Sequence, residues 1–180
     1  EIREIRDHIS QYPPFDSLRE ELLDEIAASV EIAYHKSGST IVEFGEPMHA
    51  LPYIRSGAVE VYRRNGELYN RLDEGDIFGQ LGLLLNRRAR FPVKAIEDTL
   101  LYLIPATVFD RLCAEDENFA DFVELSGSRL KSTVEQSARD NDMMVTRVRR
   151  LITRLPVMIE ESASVQEAAR LMTEQDVSSV

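Results

Sequence analysis

A single cysteine, Cys113, stands in 180 residues, and tryptophan is absent. One thiol excludes an intrachain disulfide framework and any multi-cysteine zinc site, and the expected setting is a reducing one, the cytoplasm. No stretch approaches the roughly 18 consecutive apolar residues of a membrane-spanning helix. The first residues, Glu1-Ile2-Arg3-Glu4-Ile5-Arg6, alternate charged and apolar side chains where a signal peptide would carry an apolar run. Basic residues are also in deficit: 21 Lys and Arg against 32 Asp and Glu leave a formal net charge of −11. That balance argues against a general nucleic-acid binder, because neutralising phosphates takes clustered cations. His8, His35 and His49 are far apart and lack the His-x-His pair with a following glutamate of a barrel metal enzyme. They read as surface or turn side chains, and no metal site is expected. With no nucleophile, acid–base pair or metal cluster in view, no enzyme is expected within these residues.

What is present is sharply localised. Seven of the 8 glycines fall at 38, 45, 57, 66, 75, 79 and 82. Between them lie short apolar runs, Thr40–Phe44, Leu51–Ile54, Ala58–Tyr62 and Leu68–Leu72, and Val59, Val61, Leu68 and Leu72 have the two-residue alternation of half-buried strands. Arg63-Arg64-Asn65-Gly66-Glu67 supplies an Asn-Gly hairpin turn between the last two. A second strand pair is predicted at Phe91–Ile96 and Leu100–Ile104, closed by Pro105. Helical patterns flank this block. Ser17-Leu18-Arg19-Glu20 has the form of a capping box ahead of Leu22, Ile26 and Ala27 on one face, and Ala106–Cys113 and Asn118–Arg139 read as helices beyond it. The expected class is α+β, mainly β: an antiparallel β-roll or double-stranded β-helix barrel with flanking helices, occupying residues 1–140. From residue 141 the pattern changes to a linker helix. The strand-like Pro156-Val157-Met158-Ile159 follows, then a second capping box at Ser164–Glu167, and finally Val177-Ser178-Ser179-Val180. The unit at 141–180 is expected to be a partial β-α-β segment, the start of a second domain in a longer chain.

Chemistry concentrates in Gly75-Asp76-Ile77-Phe78-Gly79-Gln80-Leu81-Gly82-Leu83-Leu84-Leu85 and in the residues that follow it. Residues 79–95 hold Arg87, Arg88, Arg90 and Lys94 and no acid, a local +4 within a chain of −11. A strand passing through glycine into a short helix, with arginines just beyond, suits a compact phosphorylated ligand. The same arginines also fit a solvated turn. Phe78 and Phe91 fit either a core or the wall of a base or ribose pocket, and Cys113 beside Phe109 and Leu112 reads as a small buried hydrophobe.

The order Gly38, Gly45-Glu46, Tyr53-Ile54-Arg55-Ser56-Gly57-Ala58-Val59-Glu60-Val61-Tyr62 and Gly75 to Leu83 resembles a cyclic-nucleotide-binding domain, from about residue 15 to about 138. The resemblance implies that the residue after Phe78-Gly79 meets the ribose hydroxyl. It also implies that the short helix and an arginine beyond it hold the cyclic phosphate, and that the 118–139 helix closes over the pocket or makes a homodimer contact. Site residues on this basis are Gly79, Gln80, Leu81, Gly82, Arg88, Ala89, Arg90 and Phe91, with cAMP or cGMP as ligand and no further cofactor. The chain departs from the family pattern at four of them. Gln80 replaces a glutamate, Ala89 falls on the phosphate-arginine position with Arg88 and Arg90 either side, and Arg90 and Phe91 stand where small residues are usual. Residues from about 143 resemble the start of a CBS domain, on Leu155–Ile159, Ser164–Ala169, Met172 and Val177–Val180. Bacterial proteins with this order look like signal-transduction proteins, often with a nucleotidyltransferase-like region further on. The implied function is a regulatory sensor that binds a cyclic nucleotide and signals to its CBS half. The alternative is a degenerate domain that binds no nucleotide and serves dimerisation or docking. A transcription factor of the same superfamily would need a helix-turn-helix where Pro156 and the strand–helix–strand pattern stand.

Overall fold

In the computed structural model, which describes residues 2–127, the runs between the glycine turns become short strands. These are β1 (Glu31–His35), β2 (Thr40–Val42), β3 (Ala50–Ser56), β4 (Val59–Tyr62), β5 (Leu68–Leu72), β6 (Val93–Ala95) and β7 (Thr99–Pro105). They form two antiparallel sheets, one in the order β1-β7-β3 and the other β2-β6-β4-β5. The β4–β5 hairpin closes through the expected turn, with Arg63 N–H donating to the Glu67 carbonyl at 2.8 Å and Gly66 at φ +88°. The strand pair expected at 91–96 and 100–104 is corrected. β6 pairs with β2 and β4, whereas β7 crosses to the other sheet and lies between β1 and β3. The alternation in β7 shows why: Leu101 faces the space between the sheets, while Tyr102 and Ile104 face the helices, so both of its faces are covered. A strand buried on both sides needs neighbours on both edges, and β1, unforeseen in the sequence, supplies the second.

Helix α1 (Ile2–Ile9), a 3-10 turn at Phe15–Ser17, α2 (Glu20–Ser29), α4 (Ala106–Glu115) and α5, described over 117–127, lie about the β1-β7-β3 sheet. Leu22, Ile26, Phe109, Leu112, Phe119 and Val123 join Leu51, Tyr53 and Ile104 in one core. A smaller core of Ile54, Val59, Val61, Phe78, Val93 and Leu101 fills the space between the sheets. The capping box at Ser17 does not form. Phe15 is drawn fully into the core, Ser17 closes the 3-10 turn with its hydroxyl donating to the Pro14 carbonyl, and α2 starts at Glu20 with Arg19 as its cap. Asp116 takes the capping role for α5 instead, its Oδ1 accepting from Phe119 N–H at 2.8 Å. The second capping box and the whole 141–180 segment lie outside the described residues, as does the 128–139 part of the long helix.

His8 corrects its surface assignment, being only 9% exposed. It bridges α1 to β3 and to the loop after β5: its Nε2 lies 2.7 Å from Glu74 Oε1 and its Nδ1 2.9 Å from the Tyr53 hydroxyl. His8 holds the Glu74 carboxyl below its ordinary value, so Glu74 accepts and Nε2 carries the proton. Nδ1 then accepts from Tyr53, whose hydroxyl is kept protonated chiefly by burial.

Candidate ligand-binding site

The segment after β5 is stitched to the free edge of β3. Pro52 in that edge has no N–H to give, but its carbonyl accepts from Phe78 N–H at 3.2 Å. Ile54 N–H donates to the Asp76 carbonyl at 2.9 Å, and Gly75 N–H to the Ile54 carbonyl at 2.8 Å. The chain then turns at Gly79 (φ +81°), the cap of the short helix α3 (Gln80–Leu85). Only glycine takes that left-handed geometry without strain, and a Cβ there would also collide with the Met48 methyl. Gly82 is required by contact rather than by φ. The chain folds back after α3, and a Cβ on Gly82 would lie 2.5 Å from the Arg88 carbonyl oxygen. That returning segment pairs with 45–48: Met48 N–H donates to the Arg87 carbonyl, Ala89 N–H to Glu46, and Gly45 N–H to Ala89, each at 2.8 Å.

These elements enclose a cavity of about 500 Å³. Its walls come from β4, β5 and β6 (Val61, Tyr69, Asn70, Leu72, Val93), from 76–82, from 89–91, and from Phe122, Leu125 and Ser126 on α5. Most of the surface is apolar, and Tyr69 stacks on Phe91 with ring centroids 5.5 Å apart and planes 16° from parallel. Among the described lining residues, Asp76 and Arg90 carry the formal charge.

Of the residues singled out in the sequence, Gly79, Gln80, Leu81, Gly82, Ala89, Arg90 and Phe91 line this one cavity. Arg88 does not. It is exposed, its Nη1 donating to the Gly45 carbonyl at 2.9 Å. The local +4 is dispersed in the same way. Arg87 grips Asp110 on α4 through Nη2 at 2.6 and 2.7 Å, and Lys94 sits over the Tyr62 ring, leaving Arg90, of these four, at the cavity. Tyr69, Asn70, Phe122 and Ser126 were not singled out. Tyr69 and Asn70 belong to a hairpin whose facing could be counted from the turn, but nothing local in 122–126 marks a cavity wall.

Among the described residues, two polar atoms at the cavity are buried without a partner, Gln80 Oε1 and Arg90 Nε. A third, Arg87 Nη1, belongs to the side chain committed to Asp110. Gln80 is 6% exposed, and its Nε2 donates to Ser126 Oγ at 3.3 Å. Ala89, 2% exposed, presents only a methyl. Cys113 lies apart on α4, half-buried. Burial first, then the Asp110 and Glu124 carboxylates, push its thiol up to about 11, which makes it a poor nucleophile. No group of three or more His, Cys, Asp or Glu that could hold a metal ion occurs among the described residues, and no described helix is long and apolar enough to cross a membrane.

Residues 33–116, from β1 to the end of α4, match the family model of the cyclic nucleotide-binding domain. Over that stretch, a little under half of the chain, the sequence is similar to cyclic nucleotide-binding domains. The cAMP-dependent protein kinase regulatory subunit of Colletotrichum orbiculare is 27% identical over 111 residues, which cover 61% of this chain and 28% of that protein. Aligned stretches span between 13% and 29% of the curated relatives' own length. Among solved structures, the regulatory subunit of a cAMP-independent protein kinase A from Trypanosoma brucei superposes with a TM-score of 0.65 at 19% identity, over 76% of this chain and 50% of that one. The sensor domain of the transcriptional regulator DNR from Pseudomonas aeruginosa does so at 0.62 and 18% identity, over 88% and 98%. At such identities these structures show the shared fold, an antiparallel β core with flanking helices, and nothing finer. In sequence the chain is thus similar to the cyclic nucleotide-binding domain family over 33–116 and to cAMP-dependent protein kinase regulatory subunits.

Proposed function

We propose that this domain is the sensing half of a signalling protein, taking cAMP or cGMP in the 500 Å³ cavity and passing occupancy through α5 to a CBS-type segment that begins near residue 141. The observation that carries this reading is the pair of unpartnered atoms at the cavity. Gln80 Oε1 is a buried acceptor suited to a ribose hydroxyl, and Arg90 Nε is a buried donor suited to a phosphate oxygen. Left empty, such atoms destabilise the fold; a ligand that supplies one donor and one anionic acceptor relieves both. The volume lies within the range of small-molecule sites, and the aromatic pair Tyr69–Phe91 offers a ring face for the base. The regulatory role follows the curated relatives, and homodimerisation through the 118–139 helix belongs to the same proposal.

A second reading, a domain that keeps the fold for dimerisation or docking and takes no nucleotide, is favoured by Ala89. Its methyl stands where the family resemblance puts an arginine, and its backbone N–H and carbonyl are already engaged. Titration calorimetry with cAMP and with cGMP at high protein concentration separates the two. Heat of binding from the natural sequence supports the sensor. Silence there, with binding created by Gln80→Glu together with Ala89→Arg, supports the degenerate domain. Silence in both proteins sinks the nucleotide reading.

A further inference from the structure

Helix α5 supplies the cavity with Phe122 and Leu125, while Phe119 and Val123, both fully buried, anchor it in the core. It meets α3 at two points. Gly127 faces Leu84 and Leu81; a Cβ there would lie 3.2 Å from Leu84 Cδ1, tighter than an ordinary contact. The other point is the hydrogen bond from Gln80 Nε2 to Ser126 Oγ. Ser126 gives its own proton to the Val123 carbonyl at 3.0 Å, so its oxygen can only accept from Gln80. That fixes the amide's orientation, with Nε2 toward α5 and Oε1 left without a partner. A glutamate at this position has no proton to give and could hold Ser126 only if the serine released Val123.

We infer that Gln80 is a positioning residue that links cavity occupancy to α5 through the two ends of one amide. A ligand hydroxyl donating to Oε1 locks the side chain and makes its N–H a stronger donor to Ser126. Occupancy then tightens α5 against α3 without any ligand contact to Ser126 being required. This rests on the reading of the cavity as a nucleotide site, and it assigns to the glutamine a task that an ionised carboxylate cannot perform in the same geometry.

Hydrogen exchange over 117–127 in the full chain tests the link, comparing the natural sequence with Ser126→Ala and Gln80→Met. Without ligand, both variants should exchange about fivefold faster in this stretch, the worth of one net hydrogen bond. Protection in β3 and β7 should stay unchanged, which separates a broken tie from general destabilisation. With cAMP or cGMP at concentrations that calorimetry shows to be saturating, the natural sequence should slow further and Ser126→Ala should not. Equal ligand-free rates in all three proteins, or equal slowing in Ser126→Ala, overturn the link. Should neither nucleotide bind, the nucleotide reading falls, and the ligand-free comparison alone decides the tie: faster exchange in both variants upholds it and unchanged exchange removes it.

Discussion

Two regions of this domain bury polar side chains, and they do so in opposite ways. Around His8 every ring nitrogen, the Tyr53 hydroxyl and a Glu74 oxygen are joined in one chain of hydrogen bonds across α1, β3 and the loop after β5. Around Gln80 and Arg90, an acceptor and a donor are buried with nothing to meet them. Burial penalises both arrangements, but only the first is repaid within the fold. A satisfied network holds elements together, whereas an unsatisfied pair at a cavity leaves polar groups open to a ligand. The distinction matters because His8 looks more like chemistry than Gln80 does: it is a histidine between a tyrosine and a carboxylate, yet its partners are already taken.

The largest effect should come from opening the satisfied network. His8→Ala leaves the buried Tyr53 hydroxyl without an acceptor and removes a packed ring, at a cost of roughly 2–4 kcal/mol of folding stability. Urea unfolding checks this, and a loss below about 1 kcal/mol would mean that water replaces the ring and that the network is not a fastening. Next comes Arg90→Ala at the cavity. It should weaken cAMP or cGMP binding at least tenfold, as expected for one charge-assisted hydrogen bond worth about 1.5–3 kcal/mol, while leaving stability near its starting value. Calorimetry beside urea unfolding reads both. Gln80→Leu should change stability by under about 1 kcal/mol, since the lost bond to Ser126 is offset by removal of an orphaned acceptor, yet it should abolish nucleotide binding. If Gln80→Leu were as destabilising as His8→Ala, the contrast between the two regions would collapse.

The sequence exposes these regions unequally. Gly79, Gln80 and Gly82 were legible because a glycine-bounded motif is local and its backbone demands are strict. The two-residue alternation of Val59 and Val61 and the turn at Gly66 located β4 and β5. What was hidden depends on residues distant in the chain. The pairing of β7 with β1 and β3 joins positions some seventy and fifty residues apart, as Glu31 with Leu103 and Leu51 with Ile104 show. His8 is buried by Tyr53 and Glu74, respectively 45 and 66 positions away, and nothing near it in sequence signals that. The arginine cluster misleads for a related reason: four cations close in sequence suggest one charge, whereas the Gly45 carbonyl engages Arg88 and Asp110 engages Arg87 outside the cavity lining. The choice of Arg90 over Arg88 needed the pairing of residues 87–89 with 45–48, which only the fold reveals.

The smallest effect concerns pH, and it probes the satisfied region alone. The Glu74 carboxyl is held below its ordinary value of 4.5, first by the hydrogen bond from His8 and then by the charge of Arg55, with Tyr12 adding a weaker bond. A carboxyl whose folded value lies below its unfolded one binds fewer protons when folded, so it contributes stability above about pH 4.5 and loses it as pH falls through the folded value. The Glu74 side chain is 45% exposed, so solvent screening keeps the contribution modest. Glu74→Gln should therefore lower stability slightly at neutral pH and should flatten the decline below pH 4.5, so that the two proteins converge in acid. Thermal unfolding followed from pH 7 to pH 3 measures both limbs. Parallel curves with a constant offset would show that Glu74 acts through shape rather than charge. In that case the bond to His8 would hold α1 in place whether or not the carboxyl is ionised, and the satisfied network would owe its strength to Tyr53 and the packed imidazole instead.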